Sequence, residues 1–318
     1  MTTTTTGTQA MNTADALFGL DMFGNPIRPP STGPVADRFT FAPFTVLDAK
    51  TGAWRDRKRA WMAMGIAGEL GRDAKSYNIH EWADANAGGA KAAGGGVSVF
   101  DPVLCEIAYR WFSPAGGQVV DPFAGGSVRG IVAGATGRRY WGADLRPEQI
   151  EANREQAAEI PTTPAPVWVC GDSRDALAYA PEADFVFSCP PYGDLERYSD
   201  DPTDLSAMDW PAFCTAYREI IAGAVSRLRP NRFACFVVGD FRDRKGLYRG
   251  FVPETVAAFE AAGAMLYNEA VLLTPTGSAA MRVSRQFAAG RKLCKVHQNV
   301  LVFVKGDPMK AAKACGPL

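Results

Sequence analysis

The chain lacks a C-x-x-C pair anywhere in its 318 residues, and its only histidines are His80 and His297, so no zinc framework is available. Its seven cysteines, at positions 105, 170, 189, 214, 235, 294 and 315, are odd in number and widely scattered. That pattern argues against a disulfide scaffold and for reduced thiols in a cytosol. No run of about 18 apolar residues occurs, which excludes a hydrophobic membrane-spanning helix. The opening MTTTTTGTQAMNTADALFG has neither a basic start nor an apolar stretch, so it does not read as a secretory leader. Net charge is lacking too: 34 Lys and Arg balance 34 Asp and Glu. A polybasic, histone-like binder is excluded, but a local basic patch is not.

What is present is enough apolar material for a sizeable core, 47% against 21% charged. The first 35 residues are rich in Thr, Gly and Pro and are expected to be a mobile tail. Residues 36–97 are expected to form a helical extension and a linker. Within them, positions 50–59 carry five basic residues and one acid, and DANAGGAKAAGGG closes the segment. Helical spacing then appears at 99–112, 127–135, 147–158, 210–228 and 253–262. Short apolar strands appear at 118–120, 140–143, 167–170, 184–188, 233–238, 268–273 and 299–304. Strands alternating with helices predict an α/β fold with a mostly parallel sheet and helices on both faces. The body of the protein is expected over 98–310, with a tail at 311–318.

The chemistry concentrates at the strand ends. The first strand of the body runs into Asp121-Pro122-Phe123-Ala124-Gly125-Gly126-Ser127 and then a helix. Glycines at such a turn admit a ligand close to the backbone, and the helix start favours an anionic group. The G-x-G-x-x-G pattern of dinucleotide binding is absent. The second strand ends in Asp144 and the third in Asp172-Ser173. Acids there suit ribose hydroxyls and an adenine amino group, so together they describe an adenosine-containing ligand across the C-terminal edge of the sheet. The fourth strand ends in Cys189-Pro190-Pro191-Tyr192. Two prolines stiffen the chain after a buried strand, and a flat base fits against Tyr192 with its amine on the Pro190 carbonyl.

DPFAGGS followed about 65 residues later by CPPY resembles the S-adenosylmethionine-dependent DNA methyltransferases that modify N4 of cytosine or N6 of adenine. The resemblance spans roughly residues 98–306. It implies a Rossmann-like seven-stranded methyltransferase sheet with one antiparallel strand, and S-adenosylmethionine as cofactor. By the same resemblance, Asp121 and the segment through Pro122, Phe123, Ala124, Gly125 and Gly126 sit by the methionine end of the cofactor. Residues 99–113 close over that end, Asp144 meets the ribose, and Asp172 with Ser173 the adenine.

Two positions depart from the family pattern. The glycine turn reads GGS rather than GSG. More consequentially, Cys189 stands where the family has Asp, Asn or Ser to accept a hydrogen bond from the target amine, and a thiol is a weak acceptor. Ser188 points to the opposite face of its strand and is no substitute. Cys189 suits methylation at C5 of cytosine, where a thiolate attacks C6 while an acid works near N3. Asp240 or Glu196 are the candidate acids. Both routes act on cytosine, so cytosine is the expected base.

Residues 275–297 carry Arg282, Arg285, Arg291, Lys292 and Lys295 and no acid. They are expected to be a phosphate-contacting, base-reading loop on double-stranded DNA. Three other readings stay open: an N6-adenine enzyme, an RNA methyltransferase, and a methyltransferase fold that only binds DNA. No metal and no membrane partner are expected, and a bacterial or phage-infected cytosol is the expected compartment.

Overall fold

A computed structural model describes residues 34–66, 100–193, 198–199, 201–274 and 279–317. The expected tail before residue 34 and the glycine-rich linker lie outside them, as does Glu196.

Eight strands form one sheet in the order β1-β7-β8-β6-β5-β2-β3-β4. They are β1 (Val46–Asp48), β2 (Gln118–Asp121), β3 (Arg139–Asp144), β4 (Val167–Cys170), β5 (Ala183–Ser188), β6 (Leu228–Val238), β7 (Met265–Leu273) and β8 (His297–Lys305). All neighbours pair in parallel except β8, which runs antiparallel to both β6 and β7. Strands β2–β8 therefore form the expected seven-stranded sheet with one reversed strand. The expected strand count is corrected by one: β1, in the extension read as helical, adds to β7 at the sheet edge.

The parallel strands alternate between two cores, as a sheet buried on both faces requires. Along β5, Phe185 and Phe187 face one cluster and Val186 the other. The first cluster holds α2 (Gly52–Ala63), α3 (Pro102–Phe112) and α4 (Val128–Ala135), reached by Trp54, Trp61, Tyr109 and Ile131. The second holds α7 (Trp210–Arg227) and α8 (Phe251–Ala261), where the Phe259 and Phe303 rings stack 3.9 Å apart. The remaining helices are α1 (Pro34–Phe39), α5 (Pro147–Glu159), α6 (Ser173–Ala176), α9 (Ala279–Gly290) and α10 (Pro308–Cys315).

Two expectations are corrected here. Residues 279–290 are not loop but the helix α9, whose described side chains are almost all exposed. The C-terminal segment read as a tail is mostly α10, capped by Asp307 and packed into the core through Ala311.

Strand order places the functional edge. The chain winds from β2 outward through β3 to β4, then crosses back to β5 on the other side of β2. The crevice between β2 and β5, at their carboxyl ends, is where an open α/β sheet binds ligands.

Candidate active site

Both sequence motifs converge on that crevice. The glycine turn leaves β2, and Cys189-Pro190-Pro191-Tyr192 leaves β5. A cleft of about 700 Å³ runs between them, within the usual range for small-molecule sites. Its walls include Pro122, Phe123, Gly125, Gly126, Asp144, Asp172, Ser173, Cys189, Pro190, Pro191, Tyr192 and Asp240.

The turn is held from behind. Asp121 is fully buried and all four of its bonds go to the protein. Its Oδ1 accepts from the Phe123 amide at 3.1 Å and the Ser188 hydroxyl at 2.5 Å; its Oδ2 accepts from Arg129 Nε at 2.6 Å and the Tyr140 hydroxyl at 2.7 Å. Asp121 and Ala124 thus stand behind the cleft wall, not on it. Ser188 points to this network and away from the cleft, as strand alternation expects. Gly125 turns with φ of +49°, a conformation that favours glycine, and its amide donates to Asp144 Oδ2 at 3.0 Å. Asp144 thereby ties the end of β3 to the turn while lining the cleft.

Asp172 caps α6 and pairs with Arg174 at 2.5 Å. Burial works against its charge, but the Arg174 contact prevails and holds its carboxyl below the ordinary aspartate value. Ser173 is buried and donates to the Pro122 carbonyl at 2.5 Å, locking the third strand end to the first.

On the other side, Tyr192 meets Phe241 and Phe251 edge-on, and its hydroxyl accepts from Gln298 Nε2 at 2.7 Å. Gly239 leaves the space beside it: a Cβ there would stand 3.5 Å from the Tyr192 ring and 3.6 Å from Lys295 Cε. Asp240 spends Oδ1 on the Phe241, Gly250 and Phe251 amides, at 2.9, 3.0 and 3.2 Å, which fixes the start of α8.

The basic segment divides. Arg285, Arg291 and Lys292 are exposed, with the Arg291 guanidinium 5.3 Å over the Phe287 ring. The side chain of Arg282 lies outside the described residues. Lys295 is half-buried inside the cleft, and burial lowers its pKa from the ordinary lysine value.

Several wall residues were not singled out from sequence. Arg129 is one, and its signal was visible: a lone cation in the otherwise apolar helix VRGIVAGA. Phe100 and Asp101, from the stretch 99–113 already expected at this end, form the neighbouring wall with Lys58, whose Nζ is 3.1 Å from Asp101. Tyr198, Thr203, Asp204 and Leu205 line the far side.

Adenosine-sized space, a glycine turn, an uncapped helix start and acids at the second and third strand ends fit S-adenosylmethionine. No group of His, Cys, Asp and Glu suited to a metal occurs among the described residues. No helix among them is long and apolar enough to cross a membrane.

No family model matches the sequence, and no curated protein matches it. Solved structures do resemble it. TrmN from Thermus thermophilus is 19% identical over 65% of this chain and 49% of its own, with a TM-score of 0.44. This chain thus spans about half of TrmN's length. A putative RNA methyltransferase from Pyrococcus horikoshii is 15% identical over 64% of this chain and 82% of its own, at 0.41. A putative DNA modification methylase, also from Thermus thermophilus, is 20% identical over 43% and 51%, at 0.32.

Proposed function

We propose that this chain is an S-adenosylmethionine-dependent methyltransferase acting on a base of double-stranded DNA, with cytosine as the base. One observation carries the reading: the glycine turn with Asp144 and Asp172, and the Cys189-Pro190-Pro191-Tyr192 platform, border the same cleft at the sheet's switch point.

The cofactor supplies an electrophilic methyl group. Asp144 holds ribose hydroxyls while bracing Gly125, and Asp172 faces the adenine. A base must leave the duplex to reach a cleft of this depth. Tyr192, steadied by Phe241, Phe251 and Gln298, is the stacking face, and the Pro190 carbonyl accepts from an exocyclic amine. The amine's lone pair is then directed at the methyl group.

A second reading rests on Cys189 in the cleft wall: its thiolate would add to C6 of cytosine and make C5 the nucleophile, and once C5 carries the methyl group, loss of the C5 proton to water would expel the thiolate and restore the ring. Among the described residues no hydrogen bond reaches the second carboxylate oxygen of Asp240, since its other accepts three amides, and that oxygen is the one for the N3 side. Arg285, Arg291 and Lys292 are the phosphate contacts.

The test is mass spectrometry of nucleosides from cells expressing the protein or its Cys189→Ser variant. N4-methylcytosine in both supports the amine route. 5-Methylcytosine lost in the variant assigns Cys189 as nucleophile. N6-methyladenine would overturn the choice of base. No modified DNA base would turn the reading toward RNA or a binding-only fold.

A further inference from the structure

Neither sequence motif accounts for residues 240–250, DFRDRKGLYRG, which leave the carboxyl end of β6 and return to start α8. Positions 242–249 hold four cations and one acid. They fold as a tight hairpin. Arg242 and Tyr248 face each other in an antiparallel bridge. The Asp243 amide donates to the Leu247 carbonyl at 2.8 Å, and the Gly246 amide donates to the Asp243 carbonyl at 2.9 Å. Gly246 closes the turn with φ of +86°, a conformation that favours glycine. Asp243 accepts from the Leu247 amide at 2.9 Å, so the one acid is engaged by the turn's own backbone.

The feet of the hairpin are tied to the cleft. Asp240 Oδ1 gathers the amides of Phe241 and Gly250, one from each foot. The Arg249 amide donates to the Phe241 carbonyl at 2.9 Å, and the Phe241 ring meets Tyr192 edge-on at 6.3 Å. Asp240, Phe241 and Tyr192 all line the cleft. The hairpin is thus a fixed post beside the Cys-Pro-Pro-Tyr platform.

Its outer end gathers positive charge. Arg244 and Lys245 are exposed. The Arg242 guanidinium lies 3.9 Å over the Tyr248 ring and donates to the Gly246 carbonyl at 2.8 Å. Lys292, from the segment between β7 and β8, reaches the same residue: a Cβ on Gly246 would stand 2.5 Å from its Nζ. Two basic segments far apart in the chain are so joined into one face. Among the described residues none of Arg242, Arg244, Lys245 and Lys292 pairs with a carboxylate. Water can meet their hydrogen bonds but only screens their mutual repulsion, whereas a polyanion relieves it. The opposite rim has the other sign: Asp204 lines the cleft there, and Asp201 stands exposed beside it.

We infer that the hairpin 242–249 is a contact for the phosphate backbone of double-stranded DNA, made by Arg244 and Lys245 and continued by Lys292. It holds the duplex on the β6–β8 side of the cleft, next to Tyr192 and away from the acidic rim. This rests on the nucleic-acid part of the proposed function, and not on the cofactor, the base or the methylated atom.

The test is fluorescence anisotropy of the full chain on a labelled DNA duplex of arbitrary sequence, over a range of potassium chloride concentrations. The variant is Arg244→Ala with Lys245→Ala, both at an exposed turn. Its control is Lys310→Ala with Lys313→Ala, which removes the same charge from exposed positions of α10, at the opposite edge of the sheet. The hairpin pair should weaken binding by about tenfold and lower the slope of log affinity against log salt by about two. The control pair should leave the slope unchanged.

A slope that the hairpin pair does not move, or that both pairs move equally, overturns the inference while the DNA reading stands. A loss seen on an RNA duplex but not on DNA overturns the assignment of the partner. A wild type that binds no duplex overturns the nucleic-acid reading, and this inference with it.

Discussion

His297 and Lys295 sit two residues apart, and both line the cleft. Burial, and then the Lys295 charge, push the His297 imidazole below its ordinary value of 6.5. Folded protein therefore binds the proton less readily than unfolded protein, and this residue costs stability as pH falls from about 6.5 toward the folded value. Lys295→Met removes the repulsion, so the His297 pKa measured by proton NMR should rise; an unchanged value would disprove the coupling. Lys295, expected on phosphate, stands beside Gly239 and Tyr192 in the cleft wall. Asp144 is tested more directly. Asp144→Ala should weaken S-adenosylhomocysteine by about tenfold or more in calorimetry, because it removes the proposed ribose acceptor and the brace on Gly125 together.

At the scale of elements, the joint between α2 and α3 is a buried charge cluster. Glu106, fully buried on α3, accepts from Arg57 Nε at 2.6 Å, Trp61 Nε1 at 2.9 Å and Arg110 Nε at 2.9 Å. Burial opposes its charge, but the Arg57 contact prevails and holds its pKa below the ordinary glutamate value. Glu106→Ala leaves Arg57 buried without its carboxylate and should destabilise the fold by about 3–5 kcal/mol in urea unfolding. Replacing Arg57 and Glu106 together with leucines should cost far less. Positions 50–59 carry five basic residues, a stretch whose cations suit a phosphate contact or a solvated face. Arg57 is neither, since it is spent inside this joint. Helix α9 shows the opposite error. Pro275, Gly277 and a run of cations read as loop, yet residues 279–290 are helical while Met281, Arg285 and Phe287 stay exposed.

Across the whole molecule, net charge is zero, so any attraction to nucleic acid depends on where the cations stand. Arg285, Arg291 and Lys292 project from one segment between β7 and β8, and the strand ends beside them line the cleft. Each single exchange to alanine should weaken binding to duplexes of unrelated sequence alike. Each should also lower the slope of log affinity against log salt by about one. A slope unchanged in the triple variant would remove this segment from the interface.

Strand and helix positions in the body of the chain were legible because a two-sided parallel sheet writes them as short apolar runs separated by 3.6-period helices. The glycine turn, Asp144, Asp172 and Cys-Pro-Pro-Tyr were legible as strand ends, the acids by their side-chain chemistry and Cys-Pro-Pro-Tyr through the resemblance it carries with the glycine turn. The edge strand β1 was not, since three residues with Val46 exposed and only Leu47 buried carry no pattern until β7 pairs with them. Nor could one dimension show that Asp121 stands behind the cleft wall, its four bonds coming from residues up to 67 positions away. The same holds for Arg129: the sequence determined that a lone cation would follow the glycine turn. Only the packing of Asp121, Phe100 and two carbonyls around it decided that it is buried at the cleft wall.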